Sequence, residues 1–458
     1  MASFSNYMSP GRKGFLIGIG GVSMSSLAEV LVGMGLVICG SDFNHSPNVI
    51  SLEKKGIPVA IGHRAENVPT DADFVVRTAA VHDDNPEIVQ AHNLNIPVFE
   101  RTEAWGAISQ DYGNALCISG THGKTTTTSM CTHILMAADR DPTVMIGGTL
   151  PLLNAGHRVG HGNVIVMEAC EYYNSFLSFH PTIAVILNIE ADHLDFFKDL
   201  EDVEHSFHEF ASRVPQDGYV VANYDDKNTM NTLQGLDRKI ITFGLDKGAD
   251  VHAENIEYLG SSSHFDIIYK KRRFTNVTLH VPGEHNVKNA LAATAAAICL
   301  GIRPHAVKYG LAGFNGAGRR FEFKGKFNGA DVYDDYAHHP GELRALLDAV
   351  EKLNYKRSIV VFQPHTYSRT AALFDDFVEQ LRRPSILLLA EIYAAREQNT
   401  IGISSAALAK QVEGSLFFPS FQELETALRR IAQPGDIILT VGAGDIYKIG
   451  ENLIAEVT

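Results

Sequence analysis

Residues 116–130 read Leu-Cys-Ile-Ser-Gly-Thr-His-Gly-Lys-Thr-Thr-Thr-Thr-Ser-Met. The apolar run 115–118 predicts a buried strand, which enters a turn through Gly120 and Gly123. Lys124 and four threonines follow, and apolar residues at Met130, Ile134 and Leu135 predict a helix. A strand, a glycine turn and a helix N-terminus together form an anion cradle: backbone N–H groups point at the ligand and the helix dipole favours negative charge. Lys124 adds a positive charge, and a threonine hydroxyl can hold Mg²⁺. The common phosphate loop carries four residues between its glycines, whereas here only Thr121 and His122 separate Gly120 from Gly123. An ordinary strand-to-helix turn that contains a lysine is the plain alternative.

Working outward, 458 residues are too many for one core and predict two to four domains. Many strand–helix alternations and 39 glycines point to α/β architecture. The net charge of −14 disfavours a nucleic-acid partner, which calls for a basic face, but leaves room for locally positive sites that take anionic substrates. No apolar run reaches membrane-spanning length, and the N-terminus lacks the charged-then-apolar pattern of a signal peptide. A cytoplasmic protein without membrane insertion is expected. Cys39, Cys117, Cys131, Cys170 and Cys299 have no paired or metal-like spacing, and buried reduced thiols are the simplest account. The oligomeric state stays open, a homodimer among the options.

Before the loop, residues 13–20 read as a buried strand ending in glycines. A helix over 21–35 presents Met24, Leu27, Ala28, Leu31 and Met34 on one face, and a second strand covers 36–39. Asp42 stands just past that strand, about 20 residues beyond the glycine turn, where an acid can bind a ribose. The glycine pattern, Gly18-x-Gly20-x-x-Ser23, has serine in place of the third glycine. A tight turn without ligand and a single nucleotide diphosphate on the helix N-terminus are both compatible with it. Further strand and helix signals up to a polar stretch at 110–114 predict a first domain over 1–112.

After the loop, a strand over 163–167 ends at Glu168, followed by Ala-Cys-Glu171. A carboxylate at the C-terminal end of a strand beside the loop strand suits Mg²⁺. The strand 182–187 ends in Asn188-Ile-Glu-Ala-Asp-His193, again at the ligand-binding edge. The acidic helix 201–212 reads as a solvated face, and 261–279 as a hairpin. Gly283-Glu-His285-Asn286-Val-Lys-Asn289 precedes an alanine-rich helix, and a His-Asn pair there reads equally as an N-cap. Arg319 and Arg320 follow a glycine-rich turn and suit either a phosphate clamp or a surface basic pair. This segment, 113–315, is the expected central domain. The last, 316–458, carries four strand signals whose ends bear Asp-Asp-Tyr336-Ala-His338-His-Pro, Gln-Pro-His-Thr366-Tyr-Ser-Arg369-Thr, Tyr393 with Arg396, and Gly-Ala-Gly-Asp445.

The shortened loop Gly-Thr-His-Gly-Lys-Thr-Thr resembles the ATP loop of the Mur ligases, ATP-dependent enzymes that add amino acids to the UDP-linked muramic acid precursor of bacterial cell wall. The turn Thr78-Ala79-Ala80-Val81…Asn85-Pro86-Glu87 is similar to the Ser-x-x-Val…Asn-Pro-Glu turn of the same family, with Thr for Ser. Gly-Ile-Gly-Gly-x-x-Met near the N-terminus and the two C-terminal histidine motifs extend the likeness along nearly the whole chain. They match most closely the branch that attaches L-alanine to UDP-N-acetylmuramate. The resemblance implies three α/β domains: a Rossmann-like unit for the UDP substrate, a central P-loop-type ATPase unit, and a Rossmann-like C-terminal unit for the amino acid. It implies ATP and Mg²⁺, a bacterial cytoplasmic setting, and an acyl-phosphate intermediate attacked by the alanine amine. It assigns ATP to Gly120, Thr121, His122, Gly123, Lys124, Thr125, Thr126, His285, Asn286, Asn289 and Arg320. The UDP end falls to Gly18, Gly20, Gly21, Ser23, Asp42 and Thr78, and alanine to Tyr336, His338 and Arg369. Lys124, Glu168, His193 and Asn188 are the expected catalytic groups, with Thr125, Glu168 and His193 as metal ligands.

Two departures bear on those roles. Glu-Ala-Cys-Glu-Tyr stands where many relatives have Glu-Ala-Asp-Glu-Ser, so either Glu168 or Glu171 could be the metal ligand, with Glu168 preferred. Thr366 replaces an arginine found in some relatives. Rival readings are a ligase that reattaches whole murein peptides, a dehydrogenase that would leave the ATP loop idle, and a nucleotide-sensing scaffold with a dead site.

Overall fold

The computed structural model describes residues 3–78, 81–395 and 397–455. Ala79 and Ala80 of the turn after Thr78, and Arg396, lie outside the described residues.

Three sheets follow one another along the chain. The first has five parallel strands in the order Val59–Ile61, Val37–Asp42, Lys13–Ile17, Phe74–Arg77 and Val98–Glu100. Its central strands, Lys13–Ile17 and Phe74–Arg77, are near-continuous apolar runs, as burial on both faces requires. The helix Val22–Gly33 follows the first strand and buries Met24, Leu27, Ala28 and Leu31 of the face read from the spacing, while Met34 caps its end and is half-buried. Asp42 is the last residue of its strand rather than one beyond it.

The central sheet has ten strands. Its middle runs Lys239–Gly244, Tyr219–Asn223, Ile183–Ile186, Asn114–Ser119, Val164–Glu168 and Thr143–Leu150, all parallel. The loop strand therefore lies between the two strands whose ends carry Glu168 and Asn188. One edge is closed by the antiparallel strand Ala155–Arg158, the other by three strands, Val251–Leu259, Ser262–Tyr269 and Arg272–Leu279. The expected hairpin is thus a three-stranded meander. Val251–Leu259 escapes a periodicity reading because its second half is largely exposed and carries polar residues.

The third sheet orders Glu322–Phe327, Ala330–Asp335, Asp436–Val441, Arg357–Phe362, Ile386–Leu389 and Leu416–Phe417. The four strands expected from sequence form its centre. The two missed ones are edges: one exposed and antiparallel, the other two residues long.

Two expectations need correction. The helix Leu200–Ser212 is not solvated all round, since it buries Val203, Phe207, Phe210 and Ala211, and Phe210 stacks on Phe176 at 4.5 Å between ring centroids. Its charged residues occupy the opposite face, the ordinary amphipathic arrangement. Of the five free cysteines, Cys117 and Cys131 are buried, Cys39 and Cys299 are half-buried, and Cys170 is exposed. No helix among the described residues is long and apolar enough to cross a membrane.

Phe207→Ala should lower the unfolding free energy by about 3–5 kcal/mol through cavity formation. A urea titration followed by circular dichroism measures this, and a change under about 0.5 kcal/mol would restore the solvated-face reading.

Candidate active site

Gly120 has φ +135° and Gly123 φ +86°, and a Cβ on either would collide with neighbours: Leu187 Cβ at 2.9 Å for Gly120, Asn289 Oδ1 at 2.7 Å for Gly123. Both glycines are therefore required for conformation and for close approach. The helix Lys124–Ala137 starts with no side-chain cap, so the N–H groups of its first turn are left for an anion. Asn188 clamps the loop from the next strand: its Oδ1 accepts from the His122 N–H at 2.8 Å, and its Nδ2 donates to the His122 carbonyl at 3.1 Å. That engages the Asn188 side chain in holding the loop.

Two carboxylates divide the loop's functional side chains between them. Thr125 Oγ1 donates to both oxygens of Glu168 at 3.0 Å, and the Gly147 N–H donates to the same carboxylate at 2.8 Å. Lys124 Nζ donates to Glu171 at 3.0 and 3.2 Å and to the Thr121 carbonyl at 3.1 Å. Burial alone would depress the Lys124 pKa, but the Glu171 charge outweighs it and raises it. His193, at φ +54°, stacks on Tyr172 with centroids 4.2 Å apart, and its Nε2 lies 3.8 Å from Asp192 and 4.0 Å from Glu171. His193 thus faces Glu171 and Asp192, while Glu168 pairs with Thr125.

A cavity of about 400 Å³ lies beside the loop, and His122, Gly123, Thr126, Asn286, Asn289 and Arg320 are among its lining residues, together with His285. The N-cap reading of the His-Asn pair does not hold. The helix Glu284–Cys299 is preceded by Gly283 without a side-chain cap, and Asn286 Nδ2 donates to the Pro282 carbonyl at 2.6 Å from inside the first turn. Arg320 faces the cavity and is no surface residue: it lies over the Tyr336 ring at 5.2 Å and 3.7 Å from Glu342. Arg319 points elsewhere, bonded to Asp334 at 2.9 Å and to the Gly442 and Gly444 carbonyls.

In the first sheet, Gly18, Gly20, Gly21, Ser23, Asp42 and Thr78 gather at one strand-end edge. Asp42 accepts from the Gly20 and Asn44 N–H groups at 2.8 and 3.0 Å, and a Cβ on Gly18 would meet the Thr78 methyl at 2.9 Å. In the third, Tyr336 and His338 stand after the strand Ala330–Asp335, their rings 5.5 Å apart, and His338 lies 5.6 Å from His365. Arg369 reaches across to the central unit and donates through Nε and Nη2 to Asp192 Oδ1 at 3.2 and 3.1 Å. Both side chains are about nine-tenths buried. Burial would raise the Asp192 carboxyl, but Arg369 holds it well below the carboxylate range. Burial, helped by the Arg369 charge, pushes His338 down to about 3, so its imidazole is neutral.

Sequence reading missed the second layer of this seam. His122, Glu190, His339 and Glu342 meet where the loop touches the helix Pro340–Glu351. The His122 imidazole lies 3.5 Å from Glu190 and 3.4 Å from Glu342, which overcome its burial and lift it to about 9. The only local signal was His339-Pro-Gly-Glu342, a capping-box spacing.

The chain matches three family descriptions in succession: "Mur ligase family, catalytic domain" over 16–112, "Mur ligase middle domain" over 118–297 and "Mur ligase, glutamate ligase domain" over 319–444. It is 45% identical over 453 residues to the UDP-N-acetylmuramate–L-alanine ligase of Clostridium novyi, covering 98% of each chain. Identity to the protein of the same name from Acetivibrio thermocellus is 46%, covering 96% of this chain and 95% of that one. The crystal structure of the UDP-N-acetylmuramate–alanine ligase from Thermotoga maritima superposes with a TM-score of 0.82 at 28% identity, over 97% and 99% of the two chains.

The buried imidazoles carry a pH consequence. Burial pushes His285 and His365 to about 4, below a free imidazole near 6.5. Their contribution to stability is full above about pH 6.5 and is lost as the pH falls towards 4. His285→Gln should remove up to about 2 kcal/mol of the loss between pH 6.5 and 4.5. Urea midpoints of the wild type and variant at the two pH values measure the difference.

Proposed function

This chain belongs to the Mur ligase family, and we propose from that premise that it joins L-alanine to UDP-N-acetylmuramate at the expense of ATP. The reaction yields UDP-N-acetylmuramoyl-L-alanine, ADP and phosphate for peptidoglycan precursor synthesis. The observation that carries this reading is the seam where His122 of the ATP loop meets His339 and Glu342 while Arg369 crosses to Asp192, in a chain that aligns nearly end to end with ligases of that name. The three units are taken as 1–112 for the UDP substrate, 113–315 for ATP and 316–458 for the amino acid. The bacterial cytoplasm, where ATP and UDP-linked precursors are made, is the setting.

ATP phosphorylates the lactyl carboxylate of the UDP substrate, and the alanine amine then attacks the acyl phosphate. A tetrahedral intermediate forms and phosphate leaves. Lys124 neutralises the transferring phosphoryl group, while the uncapped helix start and the loop N–H groups hold the phosphates. Thr125 and Glu168 suit Mg²⁺: a hydroxyl and a carboxylate already 3.0 Å apart are hard oxygen donors of the kind that ion takes. Bound there, Mg²⁺ would offset the charge of the phosphates. His193 stands beyond Glu171 on the same edge and is assigned to the second metal position. His285, Asn286 and Asn289 line the nucleoside end, and Arg320 the phosphate end, of the cavity.

Gly18, Gly20, Gly21 and Ser23 receive the UDP phosphates at the start of the helix Val22–Gly33. Asp42 and Thr78 flank them. Neutral His338 beside Tyr336 accommodates the uncharged amine that must attack, and Arg369 is the partner for the alanine carboxylate. Asp192 holds that guanidinium in place until the substrate arrives. The alternative of a ligase for whole peptides differs in the acceptor it takes.

Phosphate release with Mg²⁺-ATP, UDP-N-acetylmuramate and either L-alanine or the L-Ala–D-Glu–diamino-acid tripeptide tests the reading. Turnover is expected with alanine alone, and tripeptide-only turnover would transfer the assignment to the recycling ligase. Lys124→Ala should reduce kcat by about 10³-fold or more. Arg369→Lys should raise the KM for alanine more than it lowers kcat, because a lysine cannot make the forked contact.

A further inference from the structure

The side chain of His122, whose backbone belongs to the ATP loop, converges with Glu190 and His339, which the ligation scheme leaves without a role, on one point between that loop and the C-terminal unit. His122 Nε2, Glu190 Oε2 and His339 Nδ1 lie 3.2, 3.0 and 3.3 Å from the position a Cβ on Gly341 would occupy. Glu190 Oε2 is 3.5 Å from His122 Nε2 and 4.0 Å from His339 Nδ1, and the three ligating atoms all lie within 4.8 Å of one another. Ligands of a four-coordinate divalent ion, with bonds of about 2.0–2.1 Å, stand about 3.3 Å apart. The cluster needs only a small inward movement to reach that geometry. It is the only group of three or more potential ligands this close among the described residues.

The surroundings also fit an ion. His339 Nε2 is buried without a hydrogen-bond partner, and both His122 ring nitrogens are buried with only long ion-pair contacts of 3.5 and 3.4 Å to Glu190 and Glu342 and no well-formed hydrogen bond, a condition that costs free energy unless something else satisfies them. Behind His122, Glu342 Oε1 faces Nδ1 at 3.4 Å, the arrangement in which a carboxylate sets the tautomer of a ligating imidazole. His339 Nδ1 is unprotonated, since it accepts a long 3.2 Å bond from the Gly341 N–H, which an ion would replace. Gly341 leaves the space open.

We propose that His122, Glu190 and His339 form a divalent transition-metal site of the zinc class, separate from the Mg²⁺ that accompanies ATP. Two imidazoles and one carboxylate are a borderline-soft donor set that favours zinc over magnesium and leaves one coordination position free. His122 and Glu190 belong to the central unit and His339 to the C-terminal one, so the ion would fasten the two together beside the ATP loop. The site is independent of the substrate assignment, because it is read with the metal alone.

The test is a Co²⁺ titration of the full-length, chelator-stripped protein near neutral pH without nucleotide. One equivalent should bind with the strong visible absorption of four-coordinate cobalt, and Zn²⁺ should displace it. His339→Ala and Glu190→Ala should abolish the signal, and Gly341→Ala should do the same by filling the convergence point. Glu342→Gln should weaken binding by about 10-fold or more. Glu168→Gln, on the magnesium side, should leave the signal intact. Thermal melting of each variant separates lost ligation from lost fold. Absence of stoichiometric cobalt uptake by the wild type would overturn the proposal and leave His122 as an imidazolium between Glu190 and Glu342. Uptake that survives both His339→Ala and Gly341→Ala, or that vanishes in Glu168→Gln, would overturn it as well.

Discussion

The structure depends on keeping one loop open and positively charged at the ends of three parallel strands. Gly120 and Gly123 bring the backbone against Leu187 and Asn289 more closely than any side chain would allow. Asn188 bonds both ways to the His122 peptide, so the loop cannot collapse into the space the phosphates need. A buried lysine without a partner would lose its proton or swing out to water. Glu171 prevents both, and Glu168 orients Thr125 alongside. The arrangement is pre-organised before any substrate arrives, which is where electrostatic catalysis draws most of its effect.

The first and central units share a continuous apolar core, whereas beside this loop the central and C-terminal units meet through charged groups. Arg369 crosses to Asp192, Arg320 lies between Tyr336 and Glu342, and His122 sits between Glu190 and Glu342. Arg369–Asp192 and His122–Glu342 cross between the central and C-terminal units, and Arg320 packs beside them within the latter. Such contacts are strong when dry and weak when wetted. A seam built this way can open to admit substrates and still exclude water from a reactive acyl phosphate when closed.

Much of the site was legible because phosphate chemistry imposes local patterns. The strand, glycine turn and lysine at 114–124 need no distant residue to be recognised, and Glu168 and His193 were found as polar groups at the ends of predicted strands. The errors share a cause. Phe207 and Phe210 are hidden among acidic residues, so composition suggested a solvated helix where a 3.6-residue stripe was present. The strands Val251–Leu259 and Glu322–Phe327 are partly exposed and lack the apolar run that marks central strands. The His-Asn pair was ambiguous because an N-cap and a cavity wall use the same residue types, and only the backbone position of Gly283 separates them.

Taken alone, the sequence determined the α/β class, the three-part order and the chemistry of the ATP loop. These follow from periodicity and from short motifs whose parts are adjacent in the chain. Tertiary structure decided which acid serves which loop residue, since Glu168 and Glu171 are three residues apart yet face Thr125 and Lys124 respectively. It also decided that Arg369 meets Asp192 across 177 residues, and that His122, Glu190 and His339 share one point. Direction and distance between side chains on separate elements are set by how the sheets pack, and no local pattern carries that information.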